Sequence, residues 1–234
     1  MTAVVTGASS GIGKAVCDLL LQQGFRVYGL GRSVVPRKNG TAFIPVTIDL
    51  ALTGEIEKHC ASFMDDPDIS LLVNAAGFGR FDPHETLDAA LIARMTAVNL
   101  TAPMILSQLL LRTLKANRGT IINITSVEAL RASKFSALYS ATKSGLRAFG
   151  QSLFEEVRKD GVNVVTVNPD MTDTAFFDTL RFAPGESEDT RLEPGDIADV
   201  ITCILSMRPG AAVTEVTIRP QRFGIVKKQN KATS

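Results

Sequence analysis

The feature that most constrains this chain is a glycine-rich turn between a short apolar run and an amphipathic one. The apolar run covers residues 3–5, and the turn reads Thr6-Gly7-Ala8-Ser9-Ser10-Gly11-Ile12-Gly13. Such a turn at a helix N-terminus presents backbone N–H groups and the positive end of the helix dipole to a phosphate. Gly7 would turn the chain, Gly11 would let a pyrophosphate approach, and Gly13 would let the helix sit close to the sheet. The pattern predicts a strand, a phosphate-binding loop and a helix.

Apolar runs and helical patterns alternate along the rest of the chain, which is typical of an α/β protein. The third predicted strand contains Pro45, which cannot donate to a ladder on both sides and so belongs at a sheet edge. The prediction is a three-layer Rossmann fold: a doubly wound parallel seven-stranded sheet of order 3-2-1-4-5-6-7, with helices on both faces. The seven predicted strands cover residues 3–5, 26–30, 42–48, 69–73, 120–124, 162–167 and 213–218.

A long helical pattern runs from Thr86, the predicted N-cap, to about Leu114. Pro103 lies within it and has no N–H to donate to the carbonyl of Asn99. The helix is therefore expected to bend or rearrange there. A second long helix is predicted from Ala137 to Gly161.

Length and composition limit the classes of protein. The 234 residues, 45% of them hydrophobic, are enough for one domain over residues 1–234. A net charge of +1 argues against nucleic acid as a partner. No uninterrupted apolar run approaches the roughly 18 residues of a membrane span, and the first strand leaves no room for a signal peptide. We therefore expect neither a membrane partner nor a secretory leader.

The cysteines and histidines carry two further expectations. Cys17, Cys60 and Cys203 are odd in number and far apart within apolar patterns, which favours reduced core thiols and a cytoplasmic location. The two histidines, His59 and His84, have no cysteine or carboxylate cluster near them, so no metal site is expected.

The residues after the second strand lie where a cofactor ribose would sit. A carboxylate there would bind a 2′-hydroxyl, whereas a 2′-phosphate needs a guanidinium. This chain has Arg32 and Ser33, with Arg37 and Lys38 nearby. The sequence therefore favours NADP(H), although a solvated loop arginine would give the same pattern.

Two C-terminal stretches have weaker patterns. Residues 171–194 interleave phenylalanines with proline, glycine and acidic residues, which predicts a partly helical flap over the site. The tail with Lys227, Lys228 and Lys231 is expected to be frayed.

An ordered set of motifs runs through the chain. Tyr139 and Lys143 are four residues apart, which places both on one helical face. Ser126 precedes Tyr139 by 13 residues. With the glycine-rich turn, Asn74-Ala75-Ala76-Gly77 and Asn99, the chain resembles the short-chain dehydrogenase/reductase family over nearly its whole length.

The resemblance implies an oxidoreductase that moves hydride between a nicotinamide and a carbonyl or secondary alcohol. Tyr139 would be the acid/base, and Lys143, within about 4 to 6 Å, would lower its pKa from near 10 by roughly 1 to 3 units. Ser126 would steady the substrate oxygen. Asn99, with the carbonyl that Pro103 leaves free, would hold a water that links Lys143 to solvent.

The resemblance also implies the cofactor and the assembly. NADP(H) is preferred and NAD(H) is possible, the partner is a small-molecule carbonyl or alcohol, and the chain is expected to form a homodimer or homotetramer through helices around 100–115 and 139–158. Asp49 and Leu50 would contact the adenine, while Thr172 and Thr174 would lie at the nicotinamide end. The full predicted cofactor set is Gly7, Ser9, Ser10, Gly11, Ile12, Gly13, Arg32, Ser33, Asp49, Leu50, Asn74, Ala75, Ala76, Gly77, Tyr139, Lys143, Pro169, Thr172 and Thr174.

Two departures from the family pattern are visible. The chain has Asp170 after Pro169, where the family usually has glycine, and Arg219-Pro220-Gln221, where Gly-Gly is common. The extra carboxylate keeps a second hypothesis open, a non-catalytic dinucleotide sensor or scaffold. A methyltransferase with a similar turn would have no use for Tyr139 and Lys143.

The substrate is expected to be small to medium in size and fairly apolar. The candidate pocket residues are Phe78, Phe81, Val127, Leu130, Phe135 and the phenylalanines of the flap, Phe176, Phe177 and Phe182.

Overall fold

A computed structural model describes residues 1–37 and 42–228, so Lys38 and Lys231 lie outside the described residues. Seven parallel strands form one sheet in the order β3-β2-β1-β4-β5-β6-β8, which confirms the predicted topology with β8 as the seventh strand. A separate two-stranded sheet pairs β7 with β9. The strands are β1 (Thr2–Thr6), β2 (Arg26–Gly31), β3 (Phe43–Thr47), β4 (Ile69–Asn74), β5 (Thr120–Ile124), β6 (Asn163–Pro169), β7 (Phe182–Pro184), β8 (Glu215–Ile218) and β9 (Ile225–Lys227).

Six helices cover the two faces of the large sheet. The predicted edge strand is confirmed, because β3 is the outermost strand, and Pro45 lies opposite Gly29 of β2. One core cluster joins the sheet to α1 and α6, and the other joins its opposite face to α2, α4 and α5. The helices are α1 (Gly11–Gln22), α2 (Ile56–Cys60), α3 (Ala89–Thr96), α4 (Ala102–Ala116), α5 (Ala137–Val157) and α6 (Pro194–Leu205).

The long helical segment begins later than predicted. Thr86 lies in a short 3-10 turn and donates its hydroxyl to the carbonyl of Pro83, so it is not the N-cap. Asp88 has extended backbone and accepts a 2.7 Å hydrogen bond from the N–H of Leu91. Asp88 therefore caps α3, since its carboxylate satisfies one of the free N–H groups of the first turn.

The expected rearrangement near Pro103 is confirmed. A π-helical turn, Ala97–Thr101, separates α3 from α4 and contains Asn99. Pro103 is the second residue of α4 and has no N–H to donate to a carbonyl of the preceding π turn. The change of helical type displaces Asn99 from the regular α-helical position, and π turns are frequent at functional sites.

The continuous helical run Ala89–Ala116 is long and apolar enough to cross a membrane by length and composition, with a mean hydropathy of 1.5 over its best window. The prediction that no apolar run approaches the length of a membrane span overlooked this window, because polar residues lie among its apolar ones. In the fold, Leu106, Leu110 and Leu114 are buried against the sheet. The α4 part of the run thus packs on the sheet, and 28% of the window is buried.

The three cysteines are all free, but they do not share one environment. Cys17 and Cys60 are buried as predicted, and burial raises the pKa of both thiols to about 12. Cys203 is exposed, so its assignment as a core thiol was wrong. It lies on α6 beside the buried face that Ile201 and Ile204 form.

The chain between β6 and α6 is partly helical, as predicted. It contains two 3-10 turns, Ala175–Phe177 and Glu188–Thr190, and the short strand β7. We refer to residues 171–193 as the flap.

The described part of the tail, which reaches Lys228, is ordered where fraying was expected. Strand β9, which contains Lys227, pairs antiparallel with β7. Lys228 donates from Nζ to the carbonyl of Phe177 at 2.5 Å, and the N–H of Arg222 donates to the carbonyl of Asp189 at 2.7 Å. We refer to residues 219–228 as the strap, because they cross the flap and hold it. The sequence did not reveal this pairing, since the two partners are more than 40 residues apart.

Candidate active site

The carboxyl ends of the parallel strands open into one cleft of about 1570 Å³. Doubly wound sheets bind their ligands at this edge. The glycine-rich turn forms one end of the cleft, and the flap and the strap form the other. The predicted cofactor residues that line it are Gly7, Ser9, Ser10, Gly11, Ile12, Gly13, Arg32, Asp49, Leu50, Ala75, Ala76, Gly77, Tyr139, Pro169, Thr172 and Thr174.

Backbone conformation and close contacts both require glycine at three positions of the turn. Gly7 and Gly11 have positive φ, at 69° and 53°, which side chains other than glycine rarely adopt. A Cβ on Gly13 would lie 2.3 Å from the carbonyl oxygen of Gly7. A Cβ on Gly11 would lie 3.1 Å from the methyl of Thr174, so the flap reaches the turn. The turn therefore has a fixed conformation in which no side chain of these glycines covers the backbone that faces the cleft.

Thr6 ties this turn to the next one. Its hydroxyl oxygen accepts hydrogen bonds from the N–H groups of Ala75 and Ala76, both at 3.0 Å. These contacts fix the end of β1 against the end of β4. Thr6 was not predicted as a site residue, because its partners lie about 70 positions away.

The N-terminus of α1 fits a phosphate. Its first turn has no acidic residue, and the side chain of the N-cap, Ser10, makes no capping hydrogen bond. The N–H groups of that turn therefore have no competing side-chain acceptor, and the helix dipole favours an anion there. The residues present fit the pyrophosphate of a dinucleotide.

Of the three cations noted after β2, the two that the structure describes, Arg32 and Arg37, have different surroundings. Arg32 is exposed, lines the cleft and has no carboxylate partner among residues 1–37 and 42–228. Arg37 pairs with Asp18 and lies over the ring of Phe43, 4.4 Å from its centroid. Of these two cations, only Arg32 lines the cleft. Ser33 is exposed beside it but is not part of the cleft lining.

Asn74 lies apart from the other predicted cofactor residues. It is buried in β4, and its Nδ2 donates to Oδ1 of Asn123 at 2.9 Å. This contact joins β4 to β5 beneath the cleft. Asn74 is therefore part of the sheet and does not line the cleft. The other predicted residues Asp49, Leu50, Thr172 and Thr174 do line it.

Tyr139 and Ser126 meet at the centre of the cleft. Ser126 follows β5, accepts a 3.2 Å hydrogen bond from the N–H of Glu128, and lies close enough to the Tyr139 hydroxyl to lower the pKa of Tyr139. The ring of Tyr139 packs between Phe81 and Phe176, with centroids 5.2 and 5.7 Å away. The serine from β5 and the tyrosine from α5 thus form one polar pair in an aromatic wall.

Lys143 lies under this pair, one helical turn after Tyr139. Its Nζ lies 5.8 Å from the centroid of the Tyr139 ring and donates to the carbonyl of Ile124 at 2.9 Å. The side chain is 4% exposed. Burial lowers the pKa of Lys143 to about 8, because a desolvated ammonium is disfavoured.

The pKa of Tyr139 was expected to be lowered, and this was wrong. Burial raises the pKa of Tyr139, and the charge of Glu128 adds to the effect, while the hydrogen bond with Ser126 opposes it. Desolvation is the largest cause, because the ring is enclosed by aromatic side chains. The hydroxyl is therefore protonated at neutral pH.

Asn99 connects the π turn to the rest of the site. Its Nδ2 donates to the carbonyl of Phe78 at 2.9 Å and to Thr142 at 3.2 Å, and its Oδ1 accepts from the N–H of Phe78 at 3.1 Å. A Cβ on Gly77 would lie 3.1 Å from Nζ of Lys143. Asn99 therefore fixes the loop after β4 close to Lys143, in contact with the helix that carries Tyr139.

The two departures from the family pattern contact each other. Nε of Arg219 donates to Oδ2 of Asp170 at 2.9 Å, and the Asp170 side chain is 3% exposed. Oδ1 of Asp170 accepts from the N–H of Met171. The extra carboxylate is therefore paired with the extra guanidinium.

The predicted pocket residues line the cleft with one exception. Leu130 is 45% exposed and lies outside the lining. Phe223 and Ile225 of the strap line it instead and were not predicted, since a local pattern cannot show that the strap crosses the flap. The residues placed as expected are Phe78, Phe81, Val127, Phe135, Phe176, Phe177 and Phe182.

The histidines lie away from this centre. His59 is on α2, with Nε2 3.6 Å from a carboxylate oxygen of Glu55, and His84 is in the 3-10 turn before α3. Within the described part of the chain, no three His, Cys, Asp or Glu side chains are grouped to hold a metal ion.

Comparisons with known proteins agree with this geometry. The short chain dehydrogenase family model matches residues 1–184. A protein described as an uncharacterized oxidoreductase from Staphylococcus epidermidis is 33% identical over 225 residues, covering 93% of this chain and 96% of that protein.

Two solved structures share the fold over nearly their full length. An alcohol dehydrogenase from the archaeon Thermococcus sibiricus, complexed with 5-hydroxy-NADP, is 26% identical with a TM-score of 0.85, covering 95% of this chain and 98% of that one. A 4-hydroxyisoleucine dehydrogenase complexed with NADH is 26% identical with a TM-score of 0.79, covering 94% and 96%.

The family match and the dehydrogenase neighbours agree on the class of reaction, oxidation or reduction at a CH–OH group with NAD(P). They also agree with the seven-stranded parallel sheet found here. The chain belongs to the short-chain dehydrogenase/reductase family.

Proposed function

We propose that this protein is an NADP(H)-dependent oxidoreductase that interconverts a carbonyl and a secondary alcohol in a small to medium, fairly apolar substrate. The observation that carries the proposal is the Tyr139–Ser126 pair, which lies in the same cleft as the glycine-rich turn and directly above Lys143. A bound nicotinamide would supply or accept the hydride. The side chains of this chain supply the proton and the positioning.

Tyr139 exchanges the proton with the substrate oxygen. Its raised pKa keeps the hydroxyl protonated at neutral pH, which suits donation to a carbonyl oxygen that gains negative charge. Ser126 offers a second hydroxyl to the same oxygen. Both donors are preorganised, since Ser126 is held by the N–H of Glu128 and the Tyr139 ring by Phe81 and Phe176.

Lys143 and Asn99 support this pair. The Lys143 ammonium stabilises negative charge that forms on Tyr139, and it is within reach of a ribose placed against Gly77. Asn99 holds the loop after β4, and its backbone would hold a water that links Lys143 to solvent.

The preference for NADP(H) is supported by Arg32. Its guanidinium lines the cleft at the end of β2 and has no carboxylate partner among the described residues. The two similar structures contain 5-hydroxy-NADP in one case and NADH in the other, so NAD(H) stays the alternative. A guanidinium recognises a phosphate monoester better than a hydroxyl.

The remaining proposals concern assembly and organisation. Partly buried apolar side chains on α4 and α5, including Ile105, Leu109, Phe149 and Phe154, support pairing of subunits through these helices as a homodimer or homotetramer. We propose one domain over residues 1–234, with the flap closing over the substrate. The cytoplasmic location stays a prediction.

The test is NADPH oxidation across ketones, aldehydes, quinones, steroids and acyl thioesters. We expect turnover of apolar carbonyls by the native protein and a loss of roughly 10²- to 10⁴-fold in kcat in Tyr139→Phe, because the proton donor is removed. NADPH affinity, measured by fluorescence, should stay the same.

The control is Tyr28→Phe, which removes the chain's other tyrosine hydroxyl. Tyr28 donates to Asp66 at 3.2 Å and does not line the cleft. This variant should keep full turnover. Full turnover in Tyr139→Phe, or NADPH binding without turnover of any carbonyl, would contradict the proposal.

A further inference from the structure

The charges that line the cleft are not balanced. Seven basic and four acidic residues contribute to its wall. Each of the four carboxylates already has an arginine partner: Asp49 with Arg94, Asp82 with Arg80, Glu128 with Arg131 and Asp170 with Arg219. The cleft wall therefore carries a net positive charge, since each of its carboxylates is already paired and none is left to neutralise further cations.

The unbalanced cations form two groups. Arg32 is at the cofactor end and is accounted for by a 2′-phosphate. The others are Lys134, Arg181, Lys227 and Lys228, in the half of the cleft formed by the flap, the strap and the loop before α5, and no carboxylate of residues 1–37 and 42–228 lies within ion-pair distance of them. Lys228 is held by the carbonyl of Phe177, which leaves Lys134, Arg181 and Lys227 for a ligand. The substrate half thus carries positive charge that a bare dinucleotide does not explain.

Lys227 has the best-defined position of the three. It lies directly opposite Phe182 in the β7–β9 pair. Opposite residues of an antiparallel pair place their side chains on the same face. Phe182 faces the cleft, where its ring packs against Phe81 with centroids 5.3 Å apart. The side chain of Lys227 therefore points to the cleft. Ile225, two residues earlier, also lines the cleft, whereas Val226 between them does not.

The aromatic rings connect this lysine to the reacting group. Phe81 contacts the Tyr139 ring with centroids 5.2 Å apart and contacts Phe182 on its other side. Two ring-to-ring steps thus lead from the proton donor to the residue opposite Lys227. A ligand along this wall would meet a hydroxyl first, then hydrocarbon, then an ammonium.

We propose that the substrate is a carbonyl or alcohol compound whose apolar body ends in an anionic group, a carboxylate or a phosphate ester, bound by Lys227 with Arg181 and Lys134 adding to the local field. This inference rests on the proposed function for the reacting end of the molecule. It adds that the end remote from the carbonyl is charged. Lys227 is a specificity residue and takes no part in proton transfer.

The binding test uses three probes of equal chain length: octanoate, octyl phosphate and octanamide. Each is titrated into the NADP⁺-loaded protein by calorimetry. We expect the two anions to bind roughly threefold to tenfold more tightly than the amide, as for a partly exposed charge pair. The advantage should fall as salt is added, because screening weakens it.

Lys227→Gln should remove the advantage of the anions and leave the amide unchanged. Two matched controls separate this from general effects. Val226→Gln changes the same strand on its other face, and Lys159→Gln removes an exposed charge outside the cleft. Both should keep the preference for anions. The anion that loses more affinity in Lys227→Gln identifies the terminal group.

Three results would overturn the inference: equal affinity for amide and anions in the native protein, an unchanged preference in Lys227→Gln, or no binding of any probe. Turnover separates this failure from failure of the proposed function. Reduction of neutral ketones with no advantage for their ω-carboxylated forms would remove only the anionic subsite. Lys227-dependent binding of anions without NADPH oxidation across the carbonyl panel would remove only the catalytic proposal.

Discussion

The two halves of the cleft are built in different ways. The cofactor half is made of backbone: positive-φ glycines, a bare helix N-terminus and the two N–H groups that Thr6 fixes. The substrate half is made of side chains, aromatic and basic, on a flap that a strap from the chain's end holds in place. A backbone site is encoded within a few adjacent residues, whereas a side-chain site depends on distant segments that meet only in the fold.

The largest effect that this comparison predicts is in the backbone half. Gly13→Ala would place a Cβ 2.3 Å from a carbonyl oxygen that cannot move without distorting the turn. We expect the free energy of unfolding to fall by about 1 to 3 kcal/mol, and NADPH affinity to fall with it. Thermal melts with and without NADPH measure both.

Gly195→Ala is the matched control, because a Cβ there meets nothing within 4 Å. It should melt within a degree or two of the native protein and bind NADPH normally. If Gly13→Ala behaved in the same way, the turn would not be fixed by backbone contacts, and the contrast between the halves would fail.

A smaller effect, on NADPH affinity alone, is expected from Arg32, whose side chain acts in the cofactor half. Arg32→Ala should weaken NADPH binding roughly tenfold and leave NADH binding unchanged, since a charge-assisted contact to phosphate contributes about 1.4 kcal/mol or more. Fluorescence titration with both cofactors measures the ratio.

Arg37→Ala is the control for this variant, because Arg37 is held by Asp18 and the Phe43 ring. Its selectivity should match that of the native protein. Equal affinity of the native protein for NADPH and NADH would end the assignment of Arg32.

The smallest effect concerns Lys143, which lies between the two halves. Its pKa in the folded chain is about 8, against an ordinary value of 10.5. Because the charged form is lost as pH rises through 8, we expect kcat/KM for carbonyl reduction to fall about twofold between pH 7 and pH 8. A pH–rate profile would show this.

Stability should change in the opposite direction. The unfolded chain holds the Lys143 proton up to its ordinary pKa, so the cost of burying the charge is present below pH 8 and is relieved as pH rises toward 10.5. Lys143→Met should lack this contribution in melts across the same range. A native protein whose activity and stability fell together above pH 8 would contradict the assignment.

The same contrast explains what the sequence could and could not predict. Alternating patterns, the glycine spacing and Pro45 specify the strand order, because each acts through local backbone geometry. Thr86 and Asp88 are both capable N-caps, and only the fold selects Asp88. The fraying expected of Lys227 was wrong because its partner strand is remote in sequence.

The site shows the same division. The sequence predicted which residues would meet around Tyr139, since their order and spacing are fixed by strands and helices. The direction of the pKa shift was missed because it depends on the enclosing rings of Phe81 and Phe176, which come from separate loops. The net positive charge of the substrate half was not predicted, because it depends on which charged side chains form ion pairs in the fold.

The contact between Asp170 and Arg219 bears on how the sequence can change over evolutionary time. Replacing Asp170 alone by glycine would leave the Arg219 guanidinium, which is 56% exposed, to water, whereas replacing Arg219 alone would leave a carboxylate that is 3% exposed without its partner. The order of the two changes therefore matters, which is epistasis. Among descendants of this gene, Asp170 should be lost before or together with Arg219, so that the carboxylate should rarely be found without the guanidinium.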